Sequence, residues 1–208
     1  MSEYFIPAGA GEAEYDEKRS RFLGHIAFAP SEEEAKAFVA EMKKKYYDAR
    51  HNCWCYIIKD GPERYSDDSE PQGTAGIPML EVLRRAGVTN AVCVVTRYFG
   101  GVLLGAGGLL RAYTRAAADA LEAGGISAVR NWTELEIPCS YALLERIKNE
   151  LAAFDGLLTD VDYGAEVTVH VLVPEEKTPA FTARITDVSA GGAACAVIGS
   201  RERAVRVK

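Results

Sequence analysis

An α+β protein built in two parts is what this sequence predicts, and three observations carry the prediction. Apolar runs with the two-residue alternation of strands interleave with runs at the three-to-four spacing of helices. A glycine-rich stretch, 96–113, separates a strand-like segment from an alanine-rich helical one. Past Arg130 the segments fall in the order β-α-β-β-α-β, which is the ferredoxin-like arrangement. A chain of 208 residues can bury the core of one large domain or two small ones. The break is expected near Asn131, giving domains 1–130 and 131–208.

The elements follow in order. Residues 13–29 read as one strand passing through the basic cluster Lys18, Arg19 and Arg21. Ser31 with Glu34 forms a capping box, and Ala35, Phe38, Val39, Met42 and Tyr46 then make one helical stripe. Lys43, Lys44 and Lys45 suit that helix's C-terminal dipole and read as a solvated face. Residues 51–59 and 63–66 read as paired strands around Asp60-Gly61-Pro62. A helix is expected from about 77 to 85, with Pro78 tolerated in its first turn. A strand over 91–95, the glycine loop and a helix over 109–121 come next, and Gly124 and Gly125 end that helix. In the second part, 134–138 reads as a strand, and Ser140 can cap a helix bearing Leu143, Leu144, Ile147, Leu151 and Phe154. Strands over 157–162 and 166–173, a helical stretch from about 174 to 189 and a strand over 194–207 complete the chain.

Composition narrows the function classes. An apolar share of 48% and a charged share of 26% are ordinary for a soluble globular protein. With a net charge of −6, bulk electrostatics would not drive the molecule onto nucleic acid, so phosphate binding needs a local patch. Residues 1–130 hold 16 basic and 18 acidic side chains, residues 131–208 hold 8 and 12, so such a patch is expected in the first part. Five cysteines without a repeated spacing argue against a disulfide scaffold and for a reducing compartment. The start lacks a basic and apolar leader, and no uncharged run approaches the ~20 apolar residues of a membrane helix. The expectation is a cytoplasmic protein without membrane association.

The glycine stretch is the first candidate site. Gly100, Gly101, Gly105, Gly107 and Gly108 let another molecule approach the backbone, and a helix start offers unpaired N–H groups to an anion. Arg111 and Arg115 share a helix face, and Arg97 can join them from the strand end. Tyr98 and Phe99 point to opposite faces of a strand, so one can stack on a base while the other packs; Tyr98 is taken as the exposed ring. Lacking the lysine and hydroxyl of a P-loop and the third glycine of the dinucleotide fingerprint, the stretch is neither. It also fits a tight turn where a helix packs on a sheet.

Asp67, Asp68 and Glu70 are the second candidate. Together they can hold magnesium beside a substrate phosphate, cap the following helix, or pair with Arg97 or Arg111. His51, Cys53 and Cys55 share one strand face, which looks like a partial zinc site, yet ligands in a row on one strand cannot surround an ion tetrahedrally. Both cysteines also suit a core, and the apolar strand around Cys53 does not favour a thiolate nucleophile. No Ser-His-Asp arrangement is present, with His25 and His170 on apolar segments. No metal or other cofactor is expected, magnesium at the acidic loop being the one candidate.

Taken together, residues 66–78 and the Thr96-Arg97-Tyr98-Phe99-Gly100-Gly101 run resemble the YigZ/IMPACT family. Its signature joins an Asp-Asp-Gly-Glu-Pro-x-Gly-Thr-Ala-Gly stretch, which includes Thr74, to Thr-Arg-Tyr-Phe-Gly-Gly. Lys18-Arg19-Ser20-Arg21-Phe22 and His51-Asn52-Cys53 fit as well, while Ser69 stands where the family pattern has glycine. The resemblance implies a first domain like that of certain ribosomal proteins and domain IV of elongation factor G. It implies a ferredoxin-like second domain similar to that factor's domain V. Eukaryotic members regulate translation under amino-acid starvation through protein contact, a role tied to an additional N-terminal domain to which no segment of this sequence corresponds. The expected function is therefore a non-enzymatic, translation-linked regulator that binds RNA, the ribosome or a translation partner through the basic glycine loop. The alternatives are a magnesium-dependent enzyme on a phosphate-bearing substrate, and a protein-binding module using the ferredoxin-like sheet. The oligomeric state is open.

Overall fold

The structure, a computed structural model, describes residues 3–208; Met1 and Ser2, on which part of the expectation about a leader falls, lie outside the described residues. The chain has an α+β architecture of two compact units. One comprises Tyr4–Val129 with Ala204–Lys208, the other Arg130–Arg203 with Glu3.

The first unit is organised by an antiparallel sheet of β2 (Gly11–Glu17), β3 (Ser20–Phe28), β6 (Ala91–Tyr98), β4 (His51–Ile57) and β5 (Glu63–Ser66), adjacent in that order. Helix α1 (Glu32–Lys45) covers one face through Ala35, Val39 and Met42, packed with Tyr56, Val92 and Val94. Its start is as expected, with Ser31 Oγ accepting the Glu34 N–H at 3.2 Å. Helices α2 (Gly76–Arg85) and α3 (Gly105–Gly124) cover the other face over Phe22, Ile26, Cys93 and Val95. Outside this sheet, β1 (Tyr4–Pro7) pairs with the start of β7 (Ile126–Cys139), a pairing that the sequence did not announce.

Close approach of α3 to the sheet rests on missing side chains. Ala112, Ala116, Ala117 and Ala120 are half of its eight buried residues. A Cβ on Gly24 would lie 2.4 Å from Ala116 O, and one on Gly11 would lie 2.1 Å from Ala120 O. Backbone against backbone cannot yield, so these two glycines set the depth at which α3 lies.

Three expectations change here. The single strand over 13–29 is two strands joined at Lys18 and Arg19, whose φ values of 46° and 68° make a tight hairpin. Such turns usually carry asparagine or glycine, so two cations gave no sign of one. Strand β6 continues to Tyr98 rather than ending at Val95. Helix α3 begins at Gly105 rather than at 109, so Gly105, Gly107 and Gly108 lie in its first turn and the loop proper is only 99–104. Glycine's poor helix propensity hid that turn.

In the second unit the order β-α-β-β-α-β is observed. It runs through β7, α4 (Tyr141–Ala153), β8 (Leu157–Tyr163), β9 (Val167–Pro174), α5 (Thr178–Val188) and β10 (Ala196–Arg206). Strand β9 pairs antiparallel with both β7 and β8, and β10 pairs with β7. Leu135, Ile137, Ile147, Val169, Val171, Phe181 and Ile185 fill the core. Ser140 sits at the α4 N-cap without a side-chain bond, and the helical stretch after Pro174 opens as a 3-10 turn. The chain end returns to the first unit, where Ile126 N–H donates to Lys208 O at 3.1 Å. Among the described residues no helix is long and apolar enough to cross a membrane.

Candidate functional site

The acidic loop between β5 and α2 spends its carboxylates on the fold. Asp67 reaches forward to the start of α2, where Oδ1 accepts from Ala75 N–H at 3.1 Å and Gly76 N–H at 2.8 Å, and Oδ2 accepts from Gly73 N–H at 2.8 Å. Asp68 Oδ2 accepts the Asn52 N–H at 2.7 Å and Oδ1 the Lys43 ammonium at 2.9 Å. Thr74 Oγ1 donates to Pro71 O at 2.6 Å. Asp68 and Ser69 both take positive φ, 42° and 71°, so the turn keeps its left-handed form with serine in glycine's usual place. Glu70 alone turns inward. Three carboxylates aimed at three different partners do not converge on a cation, and among the described residues no group of three or more His, Cys, Asp or Glu side chains is arranged to hold one. Of the roles open to these residues, capping is the one that Asp67 takes.

Arg97 takes another of those roles, as the partner of Glu70. On β6 it shares the inward face with Cys93 and Val95, and it is 5% exposed. Its Nη1 donates to Glu70 Oε1 at 2.7 Å, and Tyr113 OH donates to the same oxygen at 2.8 Å. Burial raises the Tyr113 phenol far above its ordinary range, so it remains a donor. Ser20 Oγ accepts from Arg97 Nη2 and from Gly100 N–H, both at 3.3 Å. The guanidinium carbon lies 5.5 Å from the centroids of both the Phe22 and Phe99 rings. Arg97 is therefore a neutralised strut beneath the surface, not a free phosphate ligand. Arg115 is likewise engaged, with Asp119 one turn on at 2.7 Å. Arg111 is exposed and has no carboxylate partner among the described residues.

Tyr98 points away from this network and donates to Asp48 Oδ1 at 2.9 Å. The more exposed ring is Phe99, which corrects the choice of Tyr98. His51 Nδ1 lies 2.8 Å from Asp68 O. A carbonyl only accepts, so Nδ1 carries the proton. Nε2, 3.7 Å from Glu70 Oε1, is then left without a hydrogen-bond partner among the described residues. Cys53 and Cys55 face inward with His51, and burial pushes both thiols up, away from the thiolate that a ligand or nucleophile needs.

These groups surround a cavity of about 370 Å³, lined by Arg50, His51, Glu70, Arg97 and Phe99 and by Leu103, Leu104, Leu109, Gly105 and Ala106. Gly105 and Ala106 open α3, whose N-cap Leu104 has no side-chain acceptor and whose first turn has no acid. The first-turn N–H groups and the positive end of a 20-residue helix thus face the cavity uncapped. Gly101 and Gly105 supply φ of 84° and 71°, and Gly100 lets the hairpin in, since a Cβ there would lie 1.9 Å from Arg19 O. Gly107 needs neither service, whereas a Cβ on Gly108 would crowd Leu104 Cβ at 3.0 Å. Arg50 stands over the Phe99 ring at 5.7 Å, and Val102, Leu103 and Leu110 expose apolar surface close by in sequence. Sequence reasoning missed Arg50, Ser20 and Tyr113; only Arg50, next to His51, offered a local signal. A larger cavity, about 660 Å³, opens on the same sheet but carries Glu12, Glu14 and Asp48, which repel an anion.

Residues 18–121 match the family model described as the Impact N-terminal domain, and residues 137–191 match a domain of unknown function, DUF1949. The chain is 38% identical over 193 residues to IMPACT family member YvyE of Bacillus subtilis, spanning 92% of this chain and 89% of that protein. It is 38% identical over 195 residues to IMPACT family member YigZ of Escherichia coli, spanning 92% and 96%. Protein IMPACT of Rattus norvegicus is 32% identical over 105 residues, which is 48% of this chain and 33% of that protein. A solved crystal structure of a hypothetical protein, 36% identical, superposes with a TM-score of 0.60 over 96% of this chain and 98% of the other.

Proposed function

Because the chain belongs to the IMPACT family, we propose that it is a non-enzymatic, translation-linked regulator that binds RNA through a phosphate held at the start of α3. The observation that carries this reading is the uncapped α3 N-terminus opening on a cavity with Arg50 and Phe99 at its wall. Backbone N–H groups and a helix dipole take a phosphate. Arg50 adds charge, and Phe99 offers an aromatic ring beside it. The first unit, read as the fold of ribosomal proteins and of elongation factor G domain IV, suits that role, as does a ferredoxin-like second unit. A binder is favoured over an enzyme because the carboxylates of the acidic loop are already engaged and the neighbouring thiols are held protonated.

The test is binding of single-stranded RNA across a salt series by the Arg50→Ala/Arg111→Ala double variant. Each lost phosphate contact removes about 0.7 units from the slope of log K against log salt, so the double variant is expected to lose about 1.4. Affinity falls similarly for all sequences. An unchanged slope and affinity in a folded double variant removes the RNA reading.

One observation favours a second reading, a protein partner: Leu103 is 83% exposed, with Val102 and Leu110 also exposed. Under it the arginine variant is silent and Leu103→Asp abolishes partner binding.

A further inference from the structure

We infer that the α3 cavity is an end-recognition pocket, which takes the terminal phosphomonoester nucleotide of an RNA rather than the middle of a strand. The inference rests on the RNA reading above and sharpens it. At about 370 Å³ the cavity is at the small end of ligand pockets, which run from roughly 300 to 1,000 Å³. Its floor is closed by Glu70, Arg97 and His51, which are 8%, 5% and 7% exposed. A strand that passes through a site needs a groove open at both ends and a row of cations along its backbone. Here Arg97 is held by Glu70, Lys43 by Asp68 and Arg115 by Asp119. What remains on the wall is the uncapped start of α3 with Arg50.

A terminal phosphomonoester suits that set. It carries more charge than a diester and presents three oxygens free to accept. The α3 N–H groups can meet one side of it. His51 supplies an independent sign of a ligand. It is buried and lines the cavity, and with its Nδ1–H fixed on Asp68 O its Nε2, without a hydrogen-bond partner among the described residues, is an acceptor for the P–OH that a monoprotonated phosphomonoester has and a diester lacks. Glu70 is the one acid on the wall among the described residues, and Arg97 and Tyr113 both donate to it, so its charge is compensated. Leu103, Leu104 and Phe99 give the attached nucleoside an apolar surface.

The experiment compares four forms of one short oligouridine with the full chain at low salt: 5′-phosphorylated, 3′-phosphorylated, hydroxyl-ended, and circular. One phosphorylated form is expected to bind at least roughly tenfold tighter than the hydroxyl-ended and circular forms, the factor one charge-assisted hydrogen bond supplies. Which phosphate wins identifies the end. Two variants should erase this preference and leave residual RNA binding. His51→Asn keeps a donor toward Asp68 O but removes the Nε2 end. Ala106→Asp places a carboxylate in the first turn of α3, where it favours the helix and repels phosphate. Circular RNA binding as tightly as the phosphorylated forms, or a preference that survives both variants, overturns the pocket and leaves the RNA reading standing. No binding of any form overturns the RNA reading itself.

Discussion

Arg97→Ala is expected to destabilise the first unit by about 3–5 kcal/mol, the cost of leaving one member of a buried ion pair alone. Glu70 would keep Tyr113 as a donor but lose the cation that compensates its charge, with little water to replace it. Ser20 Oγ would lose one of its two donors, and the Phe22 and Phe99 rings would lose the guanidinium between them. Arg97→Met with Glu70→Gln should recover much of the loss, because the charge and its counter-charge leave together and Tyr113 still finds an acceptor. Urea unfolding of the three proteins measures this. A single-variant loss below about 1 kcal/mol, the range of an exposed pair, would mean that the pair is solvated. The same result makes Arg97→Ala a poor probe of RNA binding, since any lost affinity would follow from lost structure.

Gly100→Val should remove about 1–3 kcal/mol, as overpacking does, and should open the cavity as well. The new Cβ would fall 1.9 Å from Arg19 O and 2.1 Å from Arg19 C, so the 18–19 hairpin and the loop must part. Gly100 N–H then leaves Ser20 Oγ, and Phe99, next in the chain, shifts from the cavity wall. Gly107→Ala should do the opposite. It lies in the first turn of α3 at ordinary φ, and the nearest atom to its Cβ is a flexible arginine nitrogen at 3.6 Å. Alanine there should add up to about 1 kcal/mol. Amide hydrogen exchange at Gly100, together with thermal unfolding, distinguishes the two; equal effects would show that the glycines serve one purpose.

What could be read from the sequence was local. Ser31 and Glu34 announce α1 because the capping bond joins residues three apart. The order of elements after Arg130 follows from periodicity alone, and so does the inward face shared by His51, Cys53 and Cys55. The errors came where distant segments decide. Arg97 reads as a free cation until Glu70, 27 positions earlier, is laid against it. Asp67 stays open between a metal, a cap and an arginine partner until the amides it caps, six to nine residues on, fold back to it. The 18–19 hairpin was hidden because two cations occupy positions usually held by glycine or asparagine. Arg50 drew no notice because only the folded chain sets it over Phe99.

Backbone amide NMR during titration with the phosphorylated oligouridine tests most directly whether phosphate sits at the start of α3. The largest shifts are expected at Gly105, Ala106 and Gly107, with amides of the second unit unmoved. RNA that binds while those three amides stay in place would contradict the account.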